Sequence, residues 1–252
     1  MGRIGLVMTD GVNRRDFLSA AAGLGAACLL GAGVAHADSS SGSSGFGSSS
    51  GSADFGSLCD YSAAVPPAQA IRAAGYLGAI RYVSGRLPVD RWMKAKPITA
   101  TEARALRRAG LTIVSCYQYA KNDWLGGYRA GVHHARLGAA KHRAAGGPAH
   151  APIYASIDAN PSLEQFITKI GPYLRGWQSV IGPARTGVYG NASTITWAAA
   201  GGFAAWYWQH DWGTPKGLVH PLAHLHQLPG EKRVAGIGVD RNIICQPNYG
   251  RW

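Results

Sequence analysis

The chain alternates short apolar runs of strand length with helix-like segments, and this order constrains its fold more than any other feature. Helical patterns lie between most of the runs; at 99–110, for example, Thr99 can cap the first turn and Gly110 ends the pattern. Eight runs are rich in apolar, β-branched or aromatic residues: 57–61, 79–85, 111–119, 152–158, 185–190, 203–209, 222–228 and 236–242.

This alternation predicts parallel β/α architecture, and eight strands are the number that closes a barrel. Residues 57–252 are close to the lower limit of about 200 residues for such a fold. We therefore predict a compact (β/α)8 TIM barrel in which some helices are short or missing. A doubly wound open sheet is the alternative, but segment 59–67 lacks the Gly-rich phosphate loop that usually follows its first strand.

The first 37 residues have the order of an export signal. Arg14 and Arg15 precede a run rich in Ala, Gly and Leu, which ends in Ala-His-Ala before Asp38. This pattern predicts export by the twin-arginine translocase to a secreted or cell-wall-associated location, with no stable membrane span after cleavage. An uncleaved anchor and a lipoprotein attached through Cys28 are alternatives, although the run is short for a spanning helix.

Residues 38–56 are predicted to be a flexible Ser/Gly-rich linker, and 57–252 a single domain. Cys59, Cys116 and Cys245 remain after the signal, so at least one thiol is expected to be unpaired and one disulfide is possible. Their spacing matches no zinc pattern, and we expect no metal or other cofactor. A Cys/His nucleophile pair is a further alternative.

The charge of the chain favours anionic partners. The full chain carries +12, and segment 1–37 holds three Arg and two Asp, so the remainder keeps +11. For an exported protein such partners are acidic wall polymers, peptidoglycan carboxylates or anionic lipid. No Lys/Arg-rich block or recognition motif supports binding to nucleic acid. The charge alone is also compatible with a soluble basic protein that has no anionic partner.

Three of the strand-like runs close on aspartates, at Asp60, Asp158 and Asp240. The carboxyl ends of the strands in a parallel barrel open on one face, where active sites are built. Each aspartate alone could instead cap the next helix or turn. Together they predict a catalytic mouth, with Asp158 as acid/base and the other two in support.

Aromatic and amide side chains close the other strands, which suits a sugar ring with apolar faces and a hydroxyl rim. Each aromatic alone could be core packing. His224 and His226 are possible metal ligands. However, they share one face of a strand and Gln227 lies on the other, so the histidines and Gln227 cannot both point into the barrel. The residues predicted to hold the substrate are Asn160, Tyr117, Gln118, Tyr189, Trp208, Gln209 and Gln227.

Nearly all of the domain resembles a known family. The chain carries, in order, the segments LCDYS, GYLGAIRYVSG, ITATEARALRRAGLTIVSCYQYA, APIYASIDAN, RTGVYGN, WYWQHDW, LHQLPG and VDRN. In these it resembles an exported glycoside-hydrolase-like domain family of uncharacterised function, which is similar to the lysozymes of glycoside hydrolase family 25. The resemblance implies a barrel with a carbohydrate pocket at its mouth, and it matches Asp60, Asp158 and Asp240 to lysozyme acids on strands one, four and eight.

One position departs from the lysozymes. Their fourth strand ends in Asp-x-Glu, and the Glu donates a proton to the leaving oxygen, whereas this chain has Asn160 there. An amide has no titratable proton, so the role is vacant or is filled by another group, of which Glu164 is the nearest. Crowded aspartates could supply the acid, because a like charge raises the pKa of a carboxyl. Alternatively, Asn160 could orient an N-acetyl group of the substrate that replaces the nucleophile.

We therefore predict a hydrolase of glycosidic bonds in peptidoglycan or a related cell-wall polysaccharide. The alternative is a barrel that binds cell-wall glycan without turnover. The three retained aspartates favour the hydrolase, and the missing Glu favours the binder. A phosphodiesterase would need a metal or paired histidines at the mouth.

Overall fold

The computed structural model describes residues 55–252. The predicted export signal and most of the predicted linker lie outside this range. Within it, the strands belong to one sheet: β1 (Ser57–Asp60), β2 (Gly78–Tyr82), β3 (Thr112–Tyr117), β4 (Ile153–Ser156), β5 (Thr186–Gly190), β6 (Trp206–His210), β7 (Leu225–Gln227), β8 (Lys232–Val234) and β9 (Ile237–Ile244).

The sheet closes into a barrel, as the sequence predicts. Strands β1 to β7 follow one another in parallel, and β9 closes the ring by pairing with both β7 and β1. The predicted parallel direction of the last strand is wrong, because β9 runs antiparallel to both neighbours. A parallel crossover needs a dozen or more residues, whereas the connection from β7 to β9 holds only the short strand β8, which pairs with β9.

Helices cover the connections from β1 to β6. A π-helical turn, Phe166–Ile170, joins α4 to α5. Sequence-encoded caps set the starts of two helices: the side chains of Thr99 and Asn191 accept backbone N–H groups of α2 and α6. The helices are α1 (Ala68–Ala73), α2 (Ala100–Arg108), α3 (Gly127–Ala144), α4 (Leu163–Gln165), α5 (Gly171–Ile181) and α6 (Ala192–Ala200). The later connections of the described chain carry no α-helix, as predicted.

Strand periodicity divides each strand between a barrel interior and a helix-covered exterior. The interior is filled by apolar and aromatic side chains, including Leu58, Ile80, Val114, Tyr154, Trp208 and Ile244. Because side chains alternate along a strand, the last inward positions, at or just beyond the carboxyl ends, fall at the barrel mouth. Those positions are polar or aromatic: Asp60, Tyr82, Gln118, Asp158, His210 and Gln227.

An ion pair fixes α2 to the outside of the barrel. The Arg81 guanidinium donates from Nε to Glu102 Oε1 (2.6 Å) and from its other nitrogens to the carbonyls of Tyr61 and Ala95. The Tyr61 hydroxyl donates to the same Glu102 oxygen (2.9 Å). This buried group, here called the Arg81 cluster, is balanced in charge. Glu102 is therefore structural.

The barrel is complete within the described residues. Its first strand pairs with its last, so the ring formed by β1 to β7 and β9 has no open edge for an upstream segment to cover. We therefore expect residues 55–252 to fold on their own. Within this range no helix is both long and apolar enough to cross a membrane.

Candidate active site

Two of the three predicted aspartates lie side by side at the mouth. Asp60 on β1 and Asp240 on β9 are register partners, and the antiparallel direction of β9 is what brings Asp240 to this end of the barrel. Burial, and then the charge of Asp240, raises the pKa of Asp60 to about 7. Burial, followed by repulsion from Glu231, also raises the pKa of Asp240. The pair therefore keeps a proton to a higher pH than ordinary aspartates do.

Amide donors fix the orientation of Asp60. Gln227 Nε2 (3.0 Å) and Asn242 Nδ2 (2.8 Å) both donate to Asp60 Oδ2. The amide oxygens are held in turn, since Tyr189 Oη donates to Gln227 (2.5 Å) and Trp208 Nε1 donates to Asn242 (2.8 Å). This chain of five residues, with Asp240, is here called the Asp60 cluster. Because the amide oxygens of Gln227 and Asn242 already accept these hydrogen bonds, each amide can present only its NH2 group to Asp60.

The third aspartate, Asp158, lies beyond the end of β4 in a pocket of the same mouth. Its side chain is 25% exposed, and Lys121 Nζ lies 3.6 Å from Oδ2. Gln118 Nε2 donates to the same oxygen (3.1 Å). The pocket is lined by Asp158, Tyr189, His210, Asp211, Trp212, Gln227, Leu228 and Pro229. A bound ligand can therefore reach Asp158 directly.

A second pocket opens beside the Asp60–Asp240 pair, and Tyr82, Trp92 and Glu231 contribute to its wall. Each pocket carries one exposed tryptophan at its rim: Trp92 here (56% exposed) and Trp212 at the pocket of Asp158 (58%). Exposed indole rings beside carboxylates and amides provide both the stacking surface and the hydrogen-bonding groups that sugars need.

The structure brings together six of the ten residues that the sequence singles out: Asp60, Asp158, Asp240, Gln118, Tyr189 and Gln227. Two others face away from the mouth. Tyr117 packs outside the barrel against the rings of His134 and Trp177. Gln209 also points outward, where its side chain binds the backbone of Leu218 and His220. The reason is strand alternation: each is one position away from an inward residue.

Trp208 and Asn160 also lie outside the pockets. Trp208 points inward but is buried beneath the mouth (2% exposed), where it supports Asn242. Asn160 is exposed, and its Oδ1 accepts a hydrogen bond from Asn191 Nδ2 (2.9 Å). Neither residue lines a described pocket, so we do not assign them to ligand binding.

Tyr82 and His210 are among the mouth residues that sequence reasoning missed. Each stands two positions beyond an inward core residue, and this parity was the signal that could have found them. Tyr82 Oη approaches Asp60 Oδ1 (3.5 Å). His210 Nε2 donates to the carbonyl of Ile157 (3.3 Å), and burial lowers its pKa, so the imidazole is neutral. Its Nδ1 is buried without a hydrogen-bond partner in the part of the chain described.

Thiol and metal chemistry find no support at the mouth. Cys59 and Cys116 are free and buried, and burial raises the pKa of both thiols, that of Cys59 to about 12. As strand parity predicts, His224 and His226 do not accompany Gln227 into the barrel; they bind the backbone of Tyr207 and the side chain of Asp211. Residues 55–252 contain no group of three His, Cys, Asp or Glu that could hold a metal ion.

Comparison with known proteins finds a matching family model and a similar sequence. Residues 69–244 match the family model described as Rv2525c-like, glycoside hydrolase-like domain. A Mycobacterium tuberculosis protein named "Putative peptidoglycan hydrolase Rv2525c" is 54% identical over 251 residues, which cover 96% of this chain and 99% of the relative.

Solved structures give the same picture. The crystal structure of the M. tuberculosis Tat-secreted protein Rv2525c with L-tartrate superposes with a TM-score of 0.77 at 59% identity, covering 79% of this chain and 99% of that one. GHIP, a glycosyl hydrolase 25 of Streptococcus pneumoniae, shares the fold at 13% identity with a TM-score of 0.51, over 77% of this chain and 88% of its own.

Proposed function

The chain belongs to the Rv2525c-like, glycoside hydrolase-like domain family, and from this premise we propose that it is an exported hydrolase of glycosidic bonds in peptidoglycan or a related cell-wall polysaccharide. The name of its relative, a peptidoglycan hydrolase, supports the substrate class. The observation that carries the proposal is the pair of buried Asp60 and half-buried Asp240, whose raised pKa values favour a proton at the mouth that also holds Asp158.

Glycoside hydrolysis generally needs one protonated and one ionised carboxyl group. The sequence alone favours Asp158 as the acid/base, but the structure supports another division of roles. The Asp60–Asp240 pair stores the proton, and Asp240, which lines a pocket, delivers it to the leaving oxygen. Asp158, held by Gln118, acts as the carboxylate that activates water or stabilises the positive charge of the transition state.

The proposal is tested by incubating the barrel domain with isolated peptidoglycan and reading released fragments by mass spectrometry. We expect new reducing ends from the wild type and a loss of at least about 100-fold in Asp158→Asn and Asp240→Asn, the usual scale for removing an acid or base. Glu164→Gln is the matched control, since Glu164 is exposed on α4 and lines neither pocket.

A second candidate is a barrel that binds cell-wall glycan without turnover. It is favoured by Asn160, which stands where lysozymes have the proton-donating Glu and is held by Asn191 outside both pockets. The same assay separates the two. If the wild type sediments with the polymer but releases no fragments, the hydrolase proposal fails and the binder takes its place.

A further inference from the structure

Within residues 55–252 the acidic residues all lie toward one end of the barrel axis, whereas cations occur at both ends. Every acidic residue in the described range follows the carboxyl end of a strand, stands in the first turn of α2, or lies near the mouth on β9 and its hairpin. They are Asp60, Asp90, Glu102, Asp123, Asp158, Glu164, Asp211, Glu231 and Asp240. The acids are therefore confined to the mouth half of the molecule.

The opposite end of the barrel is cationic. It is formed by the carboxyl ends of the helices, the first residues of the strands and the chain terminus. Seven Lys and Arg side chains lie there, five of them exposed and Lys141 and Arg185 half-buried. We call this set the basal ring: Arg72, Arg107, Arg108, Lys141, Arg143, Arg185 and Arg251. Within residues 55–252 no Asp or Glu lies at this end to neutralise it.

Helix dipoles explain only part of the basal ring. Arg72, Arg107 and Arg143 stand in last helical turns, where a cation is stabilised by the unpaired carbonyls. Helix dipoles do not account for Arg185 or Arg251, and they do not account for the absence of Asp and Glu from this end of the described domain. The cations also oppose one another: burial, followed by the charge of Arg143, lowers the pKa of Arg185. Such crowding is relieved when an anionic surface supplies the missing charge.

Exposed apolar side chains accompany the cations. Phe55 (42% exposed), Leu77 (48%) and Leu222 (44%) all lie at this end, beside the first residues of β1, β2 and β7. A face that combines cations with exposed apolar side chains suits the headgroup region of a bilayer, where charge and apolar area both contribute to binding. A soluble polyanion would use the cations but gain nothing from the three apolar groups.

We propose that the basal ring docks the domain on an anionic phospholipid surface, with the mouth directed away from it. This goes beyond glycan hydrolysis and does not depend on it. A docked domain would keep the acidic residues of the described range away from the negatively charged surface and its mouth open to a polymer above it.

The test is sedimentation of the barrel domain with vesicles of 30 mol% phosphatidylglycerol in phosphatidylcholine. We expect binding that is lost on pure phosphatidylcholine and falls steeply with added salt. The variant Arg107→Gln/Arg108→Gln/Arg143→Gln should bind about 100-fold more weakly, at about fivefold for each cation. The control Arg91→Gln/Lys169→Gln/Lys232→Gln removes the same charge from exposed residues outside the ring, and its binding should stay within about twofold.

Three results would overturn the proposal. They are absence of binding to the anionic vesicles, an equal loss in both triple variants, and ring-dependent binding to soluble polyphosphate with none to vesicles. The last result would assign the ring to a polymer instead. Phe55→Ser/Leu77→Ser adds a charge-independent check, since it should weaken vesicle binding and leave polyphosphate binding unchanged. Hydrolysis of solubilised glycan should be the same in all ring variants, which separates this test from that of the proposed function.

Discussion

Two buried polar clusters meet at the end of β1 and differ in their charge balance. Asp60 and Tyr61 are consecutive residues, yet Asp60 belongs to the Asp60 cluster inside the barrel and Tyr61 to the Arg81 cluster outside it. The Arg81 cluster pairs one guanidinium with one carboxylate and fills their hydrogen bonds with carbonyls and a hydroxyl. The Asp60 cluster has two carboxyl groups, of which Asp60 is held by two neutral amides, and neither of these hydrogen bonds comes from a cation.

The difference separates scaffold from site. A buried charge is tolerated when it is paired, and the Arg81 cluster meets that condition. The Asp60 cluster meets the cost of burial by keeping a proton, so it has a titratable group near neutral pH in a pocket open to ligands. Charge balance, more than burial or hydrogen-bond number, distinguishes the cluster that can do chemistry.

The largest effect is expected from breaking the balanced cluster. Arg81→Met leaves Glu102 buried without its cation, and losses of about 3–5 kcal/mol are typical when one partner of a buried pair is removed. Urea denaturation followed by circular dichroism measures the change. Arg104→Met, an exposed arginine on the same helix as Glu102, is the control and should change stability by less than about 0.5 kcal/mol. Equal stability of both variants would mean that the Arg81 cluster is not a scaffold.

The contribution of the Asp60 cluster to stability should change with pH in the direction opposite to that of a salt-bridged aspartate. The folded pKa of Asp60, about 7, lies above its ordinary value, so its contribution to stability is present below about pH 4 and is lost as the pH rises to 7. Asp60→Asn removes this loss. Relative to the wild type, the variant should gain on the order of 3 kcal/mol in unfolding free energy between pH 4.5 and pH 8.

Denaturation of both proteins at the two pH values gives this difference. Glu164→Gln serves as the control, because its exposed carboxylate should produce the same difference from wild type at pH 4.5 and pH 8. A gain for Asp60→Asn that does not change with pH would show that Asp60 is ionised throughout, which the account does not allow.

The smallest effect is expected at the edge of the Asp60 cluster. Tyr189→Phe removes the hydroxyl that holds Gln227 Oε1, so the amide is free to turn its oxygen toward Asp60. Stability should fall by about 1 kcal/mol, the usual net contribution of a hydrogen bond. Hydrolytic activity should move to a higher pH optimum, because a lost donor to Asp60 favours its protonated form. A lowered rate with an unmoved pH profile would indicate that Tyr189 only packs.

The fold was predictable because its signals are local. Strand runs, the caps at Thr99 and Asn191 and the stop at Gly110 each lie within a few residues of the element they define. The direction of β9 was not predictable from local signals, because it depends on how a short connection crosses the barrel. Asp240 was therefore placed at the mouth by an argument for a parallel strand that does not apply to it.

The site was predictable only as far as strand ends could be located. A shift of one position exchanges an inward side chain for an outward one, which is why Gln118 lies at the mouth and Tyr117 does not. On β6 the strand continues to His210, so Trp208 lies one layer deeper than the sequence suggests. The crowding of Asp60 and Asp240 arises from register between the first and last strands, and no local pattern contains it.

The most direct test of the account is a pH titration of the aspartate carboxyl carbons by NMR in the barrel domain labelled with ¹³C-aspartate. The account predicts a resonance, absent from Asp60→Asn, whose midpoint lies near pH 7, and a second midpoint, that of Asp240, above the ordinary value for an aspartate. If the carboxyl groups of Asp60 and Asp240 both titrate near pH 4, the mouth stores no proton, and the distinction between the two clusters is contradicted.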